Sequence, residues 1–193
     1  MGRPAQITEA GLRVAAAKVA ARQGAARATI AEIAKEAKVP TGSIYHRVPS
    51  RAALLAEVWL EAADRFGTLF LGRLSEARTL DEAAEAALVT PRFAREQPAE
   101  GVILFVHRRD DFLDDAPAES RARASKLTGA LRDGIAAAAK RLAADDRRGR
   151  DRFALALVGI PYGAVRTFLP QAVPPAELDP VILAAVKAAL NAR

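Results

Sequence analysis

Thr29-Ile30-Ala31-Glu32-Ile33-Ala34-Lys35-Glu36-Ala37-Lys38-Val39-Pro40-Thr41-Gly42-Ser43-Ile44-Tyr45-His46-Arg47-Val48-Pro49-Ser50-Arg51 is the stretch that decides the fold. Thr29 followed three residues later by Glu32 is a capping box, and Ile30, Ile33, Ala34 and Ala37 lay down an inward stripe at helical spacing. Ala34 is small enough for another helix to cross closely, and Val39 is placed to plug the turn. A second, shorter helix follows over 42–47 and exposes small polar and aromatic groups. Two short helices with a tight break between them are the layout of a helix-turn-helix, whose second helix enters the major groove of DNA. Pro49-Ser50-Arg51 then restarts the chain, with Ser50 as the cap of a long fourth helix.

Outward from this stretch, the charge distribution agrees with it. Residues 1–51 carry nine basic side chains (Arg3, Arg13, Lys18, Arg22, Arg27, Lys35, Lys38, Arg47 and Arg51) against Glu9, Glu32 and Glu36, a net of +6. The whole chain also has a net charge of +6, so the remaining residues sum to zero. All of the excess positive charge lies with the motif, where a polyanion would meet it.

The 193 residues suffice for one large domain or a small one joined to a larger one. Abundant Ala, Leu, Arg and Glu with few β-branched runs favours helix throughout, because these side chains lose little entropy there. Cysteine is absent, which removes disulfides, thiolate chemistry and the common structural zinc sites. The amino terminus has no apolar signal-type segment, Gln6 does not suit a myristoylation signal, and no apolar run reaches transmembrane length. The expectation is a soluble, cytoplasmic protein.

Helix 1 is expected over about 8–23, with Thr8 as N-cap and Gly24 closing it. Helix 4 should run from Ser50 through Leu54, Leu55, Val58, Trp59, Ala62, Phe66, Leu69, Phe70 and Leu74. Five further helices are expected over about 80–96, 98–109, 117–144, 149–169 and 176–191, with Pro170–Pro175 a rigid break before the last. The fold class is therefore all-α, with about nine helices. Residues 1–49 are expected to form a three-helix DNA-binding domain and 50–193 a larger helical domain.

With these residues in view, the chain resembles the TetR family of bacterial one-component transcription regulators. The likeness rests on Thr29, Ile33-Ala34, Val39, Gly42, Ser43, Ile44, Tyr45, Pro49-Ser50-Arg51 and Leu54-Leu55, all in register, and covers about residues 8–60. It implies an N-terminal DNA-binding unit followed by a variable, all-helical domain for ligand binding and dimerisation. Three positions depart from the family's pattern. Lys38 stands at the turn position that is usually Gly, Pro40 replaces the common polar cap, and His46-Arg47-Val48 replaces the usual end of the reader helix. A non-glycine residue in a left-handed turn costs about 1 kcal/mol, though a lysine there can reach a phosphate.

The expected DNA-contacting residues are Thr29, Lys38, Thr41, Gly42, Ser43, Tyr45, His46 and Arg51. Thr41, Ser43, Tyr45 and His46 can reach base edges, and Gly42 allows close backbone approach. Thr29 sits at a helix N-terminus, which favours a phosphate, while Lys38, Arg51 and Arg3 add salt-dependent contacts.

The second domain offers no recognisable catalytic set, no metal-ligand spacing and no cofactor motif. The run Asp110-Asp111-Phe112-Leu113-Asp114-Asp115 resembles the aspartate-rich magnesium motif of prenyl-diphosphate enzymes, but no second acidic site accompanies it; it reads as a solvated, helix-capping loop. Phe66, Phe70, Phe93, Phe105, Tyr162, His107 and Arg166 fall on the helices that enclose the inducer cavity in the family, implying a small, largely hydrophobic effector. The alternative is that these rings simply fill core. The resemblance also implies a homodimer joined by the last two helices, with Phe153, Leu157, Ile160, Ala164, Ile182, Ala185, Val186 and Ala189 at the interface. Pro161 should kink the eighth helix. The reading that follows is a ligand-responsive dimeric repressor of a pseudo-palindromic operator; the alternative is a small-molecule enzyme or carrier with a degenerate DNA-binding head.

Overall fold

The computed structural model describes residues 8–142 and 146–192. Arg3, expected to add a phosphate contact, lies outside the described residues. The architecture is all-α, with no strand among the described residues. Helix α1 (Glu9–Gln23) is capped by Thr8, whose hydroxyl accepts the Gly11 N–H at 3.1 Å. It closes at Gly24, whose φ of +86° is a conformation that a Cβ would strain. A 3₁₀ turn (Ala25–Arg27) leads into α2 (Ile30–Ala37) and α3 (Gly42–Tyr45). Ser50 then accepts the Ala53 N–H at 3.0 Å and starts α4 (Arg51–Glu76), the longest helix among the described residues.

The remaining elements are α5 (Leu80–Ala87), α6 (Val89–Glu96), α7 (Pro98–Phe105), α8 (Asp110–Leu113), α9 (Ala118–Leu142), α10 (Arg147–Ala154), α11 (Ile160–Arg166) and α12 (Asp179–Asn191). Among the described residues twelve α-helical segments stand where about nine helices were expected, and backbone chemistry accounts for the difference. Pro91 has no N–H for the Ala87 carbonyl, and the helix over 80–96 tightens at Leu88 into α5 and α6. The helix over 98–109 stops at Phe105, and the aspartate run forms the one-turn α8 in place of a loop, because Phe112 and Leu113 are buried beneath it. Helices α10 and α11 are one continuous helix over 147–166, interrupted by a π turn (Leu155–Gly159) in which the Ile160 N–H reaches back to the Leu155 carbonyl. Pro161 removes the next hydrogen bond, so the expected distortion appears as a π turn.

Three apolar clusters hold the chain together. The first joins α1–α3 and the first half of α4 to Ile103 of α7, Phe112 and Leu113 of α8, and Ala124 of α9. The second gathers α4's distal half with α5, α9, α10 and α12 around Phe70, Leu74, Phe153 and Leu157. The third packs Phe93, Phe105, Val165 and Leu169 between α6, α7 and α11. Arg95 locks α6 to the start of α12 through a bidentate pair with Asp179, at 3.0 and 2.8 Å. Helix α4 takes part in the first two clusters, so it is the element through which the N-terminal head and the body share a frame.

Candidate functional site

The head is built from caps and one turn. Thr29 accepts the Glu32 N–H at 3.2 Å and starts α2. Lys38 ends it in the left-handed conformation, φ 57° and ψ 42°. There the Lys38 N–H bonds the Lys35 carbonyl at 3.2 Å and the Val39 N–H bonds the Ala34 carbonyl at 3.0 Å. These two bonds are a Schellman motif, completed by Val39 packing on the head core that includes Ala34. The lysine thus stands where the turn geometry asks for glycine, and its side chain is exposed.

Helix α3 begins without a side-chain cap from Thr41. The Ser43 and Ile44 N–H groups bond the Pro40 and Thr41 carbonyls at 3.0 and 3.1 Å, and the Ser43 hydroxyl donates to the Pro40 carbonyl at 2.6 Å. Ile44 is wholly buried, which fixes the rotation of α3 and turns Thr41, Gly42, Tyr45 and His46 outward. Tyr45 is 62% exposed, a large ring turned mostly toward solvent. Ser43 is half-buried, and Arg47 folds back to donate to the Ser43 carbonyl at 2.8 Å.

Arg51 is placed differently from an open phosphate contact. Its guanidinium donates to the carbonyls of Ala28 (2.9 Å), Ala26 (3.2 Å) and Ala25, gathering the carbonyls of the turn between α1 and α2. It fastens the head to the first turn of α4, a role that the sequence pattern did not disclose.

Further along α4, Trp59, Ala63, Phe66 and Phe70 fall on one face and line a cavity of about 170 Å³. Thr90, Leu104, Phe105, Leu127, Thr128, Leu131, Leu157, Val158 and Tyr162 complete the wall. Of the residues expected to line a pocket, Phe66, Phe70, Phe105 and Tyr162 do so. Phe93 stands behind the wall, edge-on to Phe66 at 5.5 Å and to Phe105 at 6.1 Å. Arg166 is outside it, donating to the Phe105 carbonyl and the Tyr162 hydroxyl, both at 3.1 Å. His107 is also outside, its ring 6.1 Å from that of Phe112. Residues missed from the sequence, such as Leu127 and Leu131 of α9, carry no signal beyond apolarity at helical spacing.

The residues expected at a dimer interface divide by orientation. Phe153, Leu157, Ile182 and Val186 are buried in the chain's own core, and Ile160, Ala164 and Ala189 are half-buried. Only Ala185 is exposed. The first four fill core because the same apolar periodicity serves either purpose. The apolar groups that do face outward are Leu155 (59% exposed) and Val181 (63% exposed), with Gly163, Ala184, Ala185 and Ala188 nearby in sequence on the same helices.

The head also meets the body through charge. Arg13 of α1 lies 2.6 Å from Glu61 of α4, and Arg65 of α4 lies 3.2 Å from Glu100 in the first turn of α7. Burial raises the Glu100 carboxyl above the usual carboxylate range, Arg65 opposes this, and Glu61 adds to it. Asp110 and Asp111 of α8 face their own neighbours: Asp111 accepts the Arg108 N–H at 3.1 Å, and Asp110 pairs with Arg109 at 3.4 Å. Among the described residues no group of three or more His, Cys, Asp or Glu is arranged to hold a metal ion, and no helix is long and apolar enough to cross a membrane.

Residues 12–58 match the family described as bacterial regulatory proteins, tetR family. No curated protein matches the chain. Among solved structures, the chain is similar to the transcriptional regulator FadR from Bacillus subtilis, crystallised in complex with stearoyl-CoA. The TM-score is 0.69 and the identity 17%, over 94% of this chain and 99% of that one. It is also similar to the fatty acid degradation regulator FadR from Bacillus halodurans, with a TM-score of 0.67 and 15% identity over the whole of both chains. A TetR family transcription regulator from Marinobacter aquaeolei VT8 gives a TM-score of 0.60 at 17% identity over 95% of each chain. At these identities the likenesses speak for the fold.

Proposed function

The chain belongs to the tetR family of bacterial regulatory proteins, and from that premise we propose that it is a ligand-responsive repressor that binds a pseudo-palindromic operator as a homodimer. The observation that carries this reading is α3: a buried Ile44 sets its rotation, and Thr41, Gly42, Tyr45 and His46 form an exposed edge of the size that a major groove admits. Residues 1–49 are the reading head and 50–193 the sensing and dimerising body. Thr29 and Lys38 flank the reader as phosphate contacts, and Ser43 and Arg51 hold it in position.

A dimer places two readers on half-sites roughly 34–36 Å apart, one turn of DNA. The face of the 147–166 helix and α12 that bears Leu155, Gly163, Val181 and Ala185 supports that assembly, since two large aliphatic side chains there are otherwise left in water. Leu155→Glu with Val181→Glu is expected to leave a folded monomer in sedimentation analysis that no longer grips its operator.

Helix α4 carries the signal. Its first turn is tied to the head by Arg51, and Trp59 lines the cavity about 12 Å further along the helix axis. An effector that prefers one tilt of α4 over another shifts the population between DNA-binding and released forms by its differential affinity. The FadR neighbour crystallised with stearoyl-CoA supports a regulator of this fold that takes a small-molecule ligand. Fluorescence anisotropy on the DNA flanking the protein's own gene, against scrambled DNA and across a salt series, tests the reading. Tight, salt-dependent binding that far exceeds the scrambled control is expected, and equal weak binding to both probes, with failure of a random-library selection, would sink it.

A further inference from the structure

The cavity has a neighbour. Between α9 and α10 runs a groove of about 670 Å³ lined by Thr128, Leu131, Val158 and Gly159 together with Arg132, Asp133, Arg150 and Asp151. Thr128, Leu131 and Val158 line both spaces, so three side chains form the seam between them. The π turn sits at this seam. It gives Leu157 to the inner chamber, Gly159 to the outer groove and Val158 to both. π turns inside helices are concentrated at functional sites.

The two spaces differ in chemistry. Among the described residues no charged side chain lines the chamber, and the nearby Arg166 guanidinium is engaged with the Phe105 carbonyl and Tyr162 hydroxyl. A carboxylate brought into the chamber would lose its hydration and find no cation in the lining to compensate. The volume of about 170 Å³ also sets a scale, since an apolar cavity of about 150 Å³ accommodates one benzene ring. The groove is largely apolar, with Ile135, Ala136 and Ala154 also in its wall, but it carries charges of both signs: two arginines stand with two aspartates, and Arg132 lies 3.0 Å from Asp133. It offers hydrogen-bonding partners of both kinds with no net field to attract an anion.

Resting on the reading of this cavity as the effector site, we propose that the effector is an uncharged amphiphile: a ring-sized apolar end fills the chamber, and a hydrogen-bonding polar end passes the Thr128–Leu131–Val158 seam into the α9–α10 groove. This excludes free carboxylates and long acyl thioesters of the kind bound by the Bacillus subtilis neighbour.

The chain supplies its own reporter, because its single tryptophan, Trp59, lines the chamber. Full-length protein is titrated with toluene, 4-phenylbutanamide, 4-phenylbutyrate and stearoyl-CoA while Trp59 emission is followed. The amide and the carboxylate share a skeleton and differ in charge. Toluene is expected to perturb Trp59 weakly, and the amide to bind at least ten-fold more tightly than either toluene or the carboxylate. Ala63→Phe, which fills the chamber, should abolish both responses. Val158→Phe, which narrows the seam, should remove the amide's advantage and keep the toluene response. Circular dichroism confirms the fold of each variant; Leu131→Phe at the same seam replaces Val158→Phe if that variant fails to fold, and Ala63→Leu replaces Ala63→Phe. Equal or tighter binding of 4-phenylbutyrate, a Trp59 response to stearoyl-CoA alone, or no response to any probe overturns the proposal. Operator affinity measured without any probe separates these failures from failure of the regulator reading itself.

Discussion

The head and the chamber are both made of helices, yet they are specified on different scales. The devices that shape the head's reader act within a few residues: Thr29 caps three residues ahead, the Lys38–Val39 turn bonds back three and five residues, and Ile44 turns a four-residue helix. The chamber is walled by α4, α6, α7, α9 and the π turn with α11, so its lining spans residues 59 to 162. A change in the head should therefore alter recognition locally. A change in the chamber should spread through the packing of the body. The two regions share α4, whose first turn carries Arg51 and whose Trp59 both packs in the head cluster and lines the chamber.

Replacing Phe70 by Ala tests the chamber side with the largest effect. Phe70 is wholly buried and shared by the chamber wall and the distal core, so a loss of about 3–5 kcal/mol is expected in urea denaturation. The operator affinity of the folded fraction should stay within about two-fold. Tyr45→Ala is the counterpart: its ring is 62% exposed, so stability should barely move while operator affinity drops by about ten-fold or more, worth about 1.4 kcal/mol. If Tyr45→Ala left affinity intact, the outward face of α3 would not be the reading face.

Arg51→Ala attacks the bridge between the two regions. Loss of charge-assisted bonds to three carbonyls should cost about 1.5–3 kcal/mol and weaken operator binding at the same time, a joint effect that neither Phe70 nor Tyr45 produces. Arg51→Lys should recover only part of both, because an ammonium cannot span the three carbonyls with the same fork.

Lys38→Gly sharpens the head's side of the comparison. Relief of the left-handed conformation is offset in part by the added freedom of glycine in the unfolded chain, leaving a gain of up to about 1 kcal/mol. If the Lys38 ammonium meets a phosphate, the salt dependence of operator binding should become shallower by about one counterion per protomer. Stabilisation without a shallower slope would assign Lys38 to the turn alone.

The smallest effect is expected at Glu100, where α7 meets α4. Because burial raises the folded carboxyl's pKa above its unfolded value, the favourable contribution of the protonated form is fully present below the unfolded pKa and fades as pH rises through the folded one. At pH 7 the ionised group is a cost that exceeds the compensation from Arg65, so Glu100→Gln should melt slightly higher than the natural chain. The difference should vanish near about pH 4, where the carboxyl protonates in both states. A variant that melts lower at pH 7 would make the Arg65 pair the dominant influence.

Much of this was legible in the sequence. The N-cap at Thr29, the special turn at Lys38, the Ser50 restart and the segregation of charge are local relations that reappear in the fold. The Thr29 N–H, however, bonds the Arg27 carbonyl at 2.8 Å and not the Glu32 side chain that a full capping box would use. The lining of the chamber was legible only in part. Phe66, Phe70, Phe105 and Tyr162 announced themselves as aromatics, but Phe93 has the same signature and lies one layer behind. Leu127 and Leu131 are indistinguishable in sequence from any core leucine. Phe153, Leu157, Ile182 and Val186 fitted an interface as well as a core, because apolar periodicity states that a face is buried without stating against what.

What the amino-acid order determined by itself was the all-helical class, the caps and turns of the head and the sign of its charge, because these devices operate over three to five residues, the span of a single helical turn. Only tertiary structure decided which side chains bound the chamber, that Arg51 fastens head to body, and which aliphatic groups on the last helices remain in water. Those outcomes depend on how α4 is rotated against partners up to a hundred residues away. Close packing among many helices selects that rotation, and no short stretch of the chain encodes it.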